Sequence, residues 1–112
     1  MSGERLTFKG GWWADVRKEW PYGADTKIAG AWGFTDDPEA FENASRVTLQ
    51  QSVTDAHVPD IDGNAIPFGP DVWETCDGRI GRAILRRCRT NWAAWQKDAD
   101  PNDSAGTSSA SP

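Results

Sequence analysis

Apolar residues recur at helical spacing most clearly near the C-terminal end of the chain, where Ile80, Ile84, Cys88, Trp92 and Trp95 follow at intervals of four, four, four and three. That spacing places them on one face of a helix over Gly78–Gln96, with Ile80, Ile84, Cys88 and Trp92 turned toward a core. Arg79, Arg82, Arg86 and Arg89 recur at three, four and three on a different face of the same helix, and Asp77 stands where a capping side chain belongs. Upstream, Leu6-Thr7-Phe8 and Trp12 to Lys18 read as two strands divided by Gly10-Gly11, an N-terminal hairpin. In its second strand Trp12, Ala14 and Val16 alternate with Trp13, Asp15 and Arg17, which makes Trp12 and Val16 core positions. Pro21-Tyr22-Gly23 then opens a helix in which Ala24, Ile28 and either Ala31 or Trp32 share a face, ended by Gly33.

The middle of the chain is punctuated by capping and turn residues. Asp37 can cap a helix, Pro38 suits the first helical position, and Phe41 and Ala44 would face inward. Val47, Leu49, Gln51 and Val53 alternate, so the helix is expected to give way to a strand between Ser45 and Val53. Asp62-Gly63-Asn64 predicts a tight central turn, and Gly69-Pro70-Asp71 a short helical turn through Trp73 and Glu74. The pattern describes an α+β class: a helix-rich small domain with a short N-terminal β-hairpin, a central turn and an amphipathic C-terminal helix.

With 112 residues the chain fits one domain, expected over 1–97. The closing DADPNDSAGTSSASP, 98–112, lacks apolar periodicity and is expected to be a disordered polar tail. Seven tryptophans in so short a chain call for an explanation, either a core packed with large rings or an exposed contact surface, and the core reading is preferred. No segment approaches the ~18 apolar residues of a membrane span, and MSGERLTFKG has no signal-type run, so a cytosolic protein is expected. Cys76 and Cys88 on one helix would stand about 18 Å apart, beyond the ~7 Å reach of a disulfide, and are read as reduced thiols.

Charge is uneven. The net charge is −5, yet Asp77 to Lys97 holds six Lys or Arg against one Asp, and the remainder holds six against sixteen acidic residues. Either the basic helix docks on an acidic body within the chain, or it meets an acidic partner. Arg79, Arg82, Arg86 and Arg89 are the candidate partner-binding residues. Arginines with Trp92 or Trp95 beside them could also serve a nucleic acid, but the chain is acidic and the tryptophans lie on the opposite helical phase, which favours a protein partner.

Catalytic and metal chemistry find little to build on. His57 is the single histidine and has no Gly-X-Ser-X-Gly or comparable nucleophile motif around it. Asp60, Asp62, Asn64 and Asp71 fall at ligand offsets of a calcium loop, but Ala65 stands where glycine is needed and Asp71 replaces the closing Glu. A turn without metal, no cofactor and no enzymatic activity are therefore expected.

The run GGWWADVRKEWPYGADTKIAGAW, Gly10 to Trp32, and VTDAHVPDIDGNAIPFGPDVWETCDGRIGRAI, Val53 to Ile84, resemble small tail assembly chaperones of long-tailed phages of actinobacteria. The matching features are Gly11 with Trp12 or Trp13, then Tyr22-Gly23, then Asp62 to Pro67 leading into the last helix. The resemblance implies a non-catalytic protein of the host cytoplasm that binds the tape measure protein and helps recruit tail tube protein. The Trp and Arg content of the last helix exceeds what that family leads one to expect. A minor virion protein such as a head-tail connector, or a small nucleic-acid-binding regulator, therefore remains an alternative, and self-association stays open.

Overall fold

The computed structural model describes residues 3–33 and 36–98. These form an α+β domain in the order β1 Gly3–Thr7, β2 Trp13–Arg17, α1 Tyr22–Trp32, α2 Pro38–Ser52, β3 Val53–Pro59, β4 Ala65–Ile66, α3 Val72–Thr75 and α4 Gly78–Asp98. The strands make one antiparallel sheet in the order β1-β2-β3-β4. Because β2 and β3 are neighbours, α1 and α2 form a helical hairpin inserted between two adjacent strands.

Local chemistry explains where the elements begin and end. Gly10 and Gly11, at φ +95° and +85°, take the left-handed backbone that lets the chain reverse, and Phe8 N–H closes the turn on the Trp12 carbonyl at 2.8 Å. The Asp37 carboxylate accepts from Ala40 N–H at 2.7 Å, with Pro38 opening α2. Asp77 accepts from Arg79 N–H at 2.9 Å at the head of α4. In the central turn Gly63 adopts φ +87°, and Asp60 Oδ1 accepts from the backbone of both Asp62 and Asn64 at 2.9 Å. Asp60 thus serves the turn itself, and those hydrogen bonds hold its carboxyl below the usual carboxylate range.

Helix α2 gives way to β3 at Val53, the far end of the expected interval, so Val47, Leu49 and Gln51 alternate within the helix and not in a strand. Ala44, Thr48 and Ser52 face inward at four-residue spacing, and the Thr48 hydroxyl donates to the Ala44 carbonyl at 2.8 Å. Phe41, expected inside, is 47% exposed. In β3 a register shift lets Asp15 pair with Asp55 and Val16 with Val53, leaving Thr54 as the extra residue of a bulge. Thr54 and Asp55 both point outward as a result, with Val53 and Ala56 inward.

Helices α2 and α4 cover one sheet face. Buried there are Ala14, Val16, Leu49, Val53, Ala56, Val58, Val72, Ile84 and Cys88, with Ile80 packed at the margin. A second cluster joins Trp20, Ala24 and Ile28 to the partly buried Trp32, Val47, Trp92 and Trp95. Four tryptophans therefore hold the α1–α2 hairpin against α4, which accounts for much of their number. Trp12 is a correction. Strand β2 starts one residue after it, so its ring leaves the alternation and lies half-buried against His57, at 4.9 Å between centroids, outside both clusters. The expected polar tail is described only at Asp98, which ends α4; residues 99–112 lie outside the described residues.

Candidate functional site

Helix α4 is secured to the body on two flanks. Ile84 and Cys88 are fully buried beneath it. On one side Arg87 pairs with Glu4 at 3.2 Å, while the Asn91 amide donates to Glu4 at 2.9 Å and to the Arg17 carbonyl at 3.2 Å. On the other side the Trp92 indole N–H and the Gln96 amide both donate to Asp25 of α1, at 2.9 and 3.0 Å. The docking of a basic helix on an acidic body thus falls to Arg87, a residue whose role periodicity alone did not single out.

The four candidate arginines then divide by environment. Arg79 is tied to its own cap, donating to Asp77 at 2.9 Å, yet its side chain remains 90% exposed. The Arg79 guanidinium holds the Asp77 carboxyl below its ordinary range and is itself raised by that neighbour. Arg89 lies over the Trp32 ring at 4.3 Å. Arg82 and Arg86 are exposed, and among the described residues no carboxylate lies within ion-pair distance of either. Among the described residues these two stripe arginines have neither a carboxylate nor an aromatic ring as partner, whereas Arg89 has the Trp32 ring.

Around them the surface is furrowed. A depression of about 540 Å³ is lined by Ile61, Asp77 and Gly78 together with Arg79, Arg82 and Arg86. It continues at Arg86 into another of about 670 Å³, where Arg86 and Arg89 stand beside Trp32, Thr90 and Trp92. Trp32 belongs to α1, so the fold brings a ring from another helix to the arginines, and Trp92, expected on the opposite phase, lines the same depression. Ile61, at the tip of the central turn and 76% exposed, closes the far end.

Other chemistry is arranged for structure. His57 is exposed on β3 between the rings of Trp12 and Trp13, at 4.9 and 6.2 Å. On the same sheet face Arg5 pairs with Asp15 at 2.7 Å and lies 3.9 Å over the Trp13 ring, so that aromatic surface is already occupied. Both cysteines are free; burial pushes the Cys76 thiol up to about 11 and the Cys88 thiol up to about 12, opposite to what a nucleophile needs. Among the described residues no group of three or more His, Cys, Asp or Glu side chains could hold a metal ion. No helix of the described chain is long and apolar enough to cross a membrane.

No known protein family matches the chain, and neither a curated protein nor a solved structure is similar to it.

Proposed function

We propose that the protein is a non-catalytic interaction domain that docks an acidic protein partner along the arginine stripe of α4. The observation that carries the proposal is the state of Arg82 and Arg86, both exposed and without carboxylate partners among the described residues, on a furrowed surface of a chain with net charge −5. Unpaired guanidinium groups beside apolar and aromatic surface favour association with carboxylates and set its register. The upward-shifted thiols and the isolated, exposed histidine supply no activated nucleophile, in keeping with a binding role.

Joined to the resemblance of Gly10–Trp32 and Val53–Ile84 to tail assembly chaperones, the proposal names the tape measure protein as the partner and the host cytoplasm as the place of action. A co-purification from infected cells tests both halves. The tape measure protein is expected to accompany the wild type and to be lost with Arg82→Glu combined with Arg86→Glu, while the melting curve stays nearly unchanged, because exposed charges contribute little to stability. Recovery of the tape measure protein by the double variant at wild-type level rules out the stripe as its docking site. Nuclease-sensitive material in place of protein points to the regulator alternative. Retention of the chain in purified virions, read by mass spectrometry, points to the connector.

A further inference from the structure

Arg82 stands at a junction between two surfaces. On one flank it borders the furrow it shares with Arg86, and on the other it forms the rim of a separate crevice of about 310 Å³ between α2 and α4. The crevice is mostly apolar, walled by Phe41 and Leu49 of α2, Trp73 of α3 and Leu85 of α4 with Glu42 and Ser45 among them, and its volume suits a single bulky side chain better than a cofactor.

Its open space has a specific origin. Gly78 and Gly81 line the α4 side, and a Cβ placed at Gly81 meets only the Cys76 sulfur, at 3.9 Å, while one at Gly78 meets nothing within 4 Å. Glycine in a helix is less stable than alanine, and packing inside this chain does not require the missing side chain at either position. The two glycines keep a pocket vacant. Phe41, 47% exposed at its lip, is among the large apolar residues this domain leaves open to solvent.

We infer that crevice and stripe form one composite groove for an acidic protein segment, in which a bulky apolar side chain enters beside Phe41, Trp73 and Leu85 while neighbouring carboxylates pair with Arg82 and Arg86. The inference rests on the docking function proposed above and adds the chemistry of its partner. Charge decides the occupant: Arg82 lines the crevice and Arg86 lies with it in the adjoining furrow, both calling for carboxylates, whereas Glu42 of the crevice wall already has Arg46 at 3.5 Å. The apolar cavity beside Arg82 calls for an aliphatic or aromatic side chain next to those carboxylates in the partner. A nucleic acid would neutralise the arginines but leave the crevice unfilled.

The test is selection of a displayed library of random peptides on the full chain, followed by affinity measurement of individual peptides against variants. Gly81→Leu fills the crevice from a helical position where leucine is favoured over glycine, so its thermal midpoint is expected to hold or rise. Phe41→Ser opens the lip instead and guards against a local shift caused by the added side chain. Enriched peptides are expected to combine Asp or Glu with Phe, Leu or Trp. They should bind about tenfold or more weakly to Gly81→Leu, to Phe41→Ser and to Arg82→Glu with Arg86→Glu alike. Peptides that weaken on the arginine variant but bind both crevice variants undiminished overturn the composite groove and leave the stripe standing. Absence of enrichment, or enriched peptides without acidic residues, overturns both.

Discussion

Ser52 shows how much depends on single polar atoms in this core. It is fully buried and accepts the indole N–H of Trp20 at 3.1 Å, and its hydroxyl partly offsets the effect of burial on the Cys88 thiol. Ser52→Ala leaves the buried Trp20 donor without its partner and is expected to cost about 1–3 kcal/mol, measured by urea denaturation. The cysteines carry a pH dependence of definite sign. Burial raises the Cys88 pKa from 9.0 to about 12, so the native thiol stays protonated while the unfolded one ionises. That contribution to stability is complete below pH 9 and is lost as pH rises toward 12. Denaturation at pH 8 and pH 10.5 is expected to show a smaller alkaline loss in Cys88→Ala than in the wild type, whatever the variant's stability at the lower pH.

Among the longer helices, α1 has little local support. It begins after Pro21 with no side-chain cap, carries Gly30 near its last turn, and owes its place to Ile28 and to the rings that surround it. A Cβ at Gly30 meets nothing within 4 Å, and the helical backbone there suits alanine. Gly30→Ala is therefore expected to stabilise the protein by about 0.5–1 kcal/mol, read as a raised denaturation midpoint. Helix α4 presents the contrary case. Its cap and its buried stripe lie within its own sequence, and polar ties to Glu4, Arg17 and Asp25 on both flanks agree with them.

At the scale of the molecule the two apolar clusters are joined by shared elements. Helix α2 contributes Leu49 to one and Val47 to the other, and α4 contributes Ile84 and Cys88 to the first and Trp92 and Trp95 to the second. A single cooperative transition is expected, with fluorescence and far-UV circular dichroism coinciding for the wild type, Ile84→Ala and Trp92→Ala. Ile84→Ala removes a fully buried side chain and should cost about 2–5 kcal/mol. Trp92→Ala removes a half-buried ring together with its bond to Asp25 and should cost about 2–3 kcal/mol, below the ~3–5 of a fully buried ring. Separate transitions for the two probes would show that the clusters unfold independently.

What the sequence determined by itself is what depends on neighbours along the chain. The caps at Asp37 and Asp77, the reversals at Gly10-Gly11 and Gly63, and the opposed faces of α4 arise within a few residues and obey helical or turn geometry, so spacing and residue type suffice to read them. The α+β class follows from those elements. Tertiary structure decided everything set by partners distant in sequence. Thr48 and Ser52 sit in a helix rather than a strand because their face meets Trp32 and Trp20. Trp12 loses its core position because the hairpin turn takes it out of the strand, and Thr54 turns outward because β3 holds one residue more than β2 can pair. The docking groove belongs to this second kind. Arg82 and Arg86 were legible as a stripe, but Phe41, Trp73 and Leu85 become one wall only when α2, α3 and α4 are packed together, and which arginines of α4 find partners depends on where Glu4 and Trp32 come to lie. A local pattern cannot encode that choice, because burial and charge pairing are settled by the few contacts that close the core.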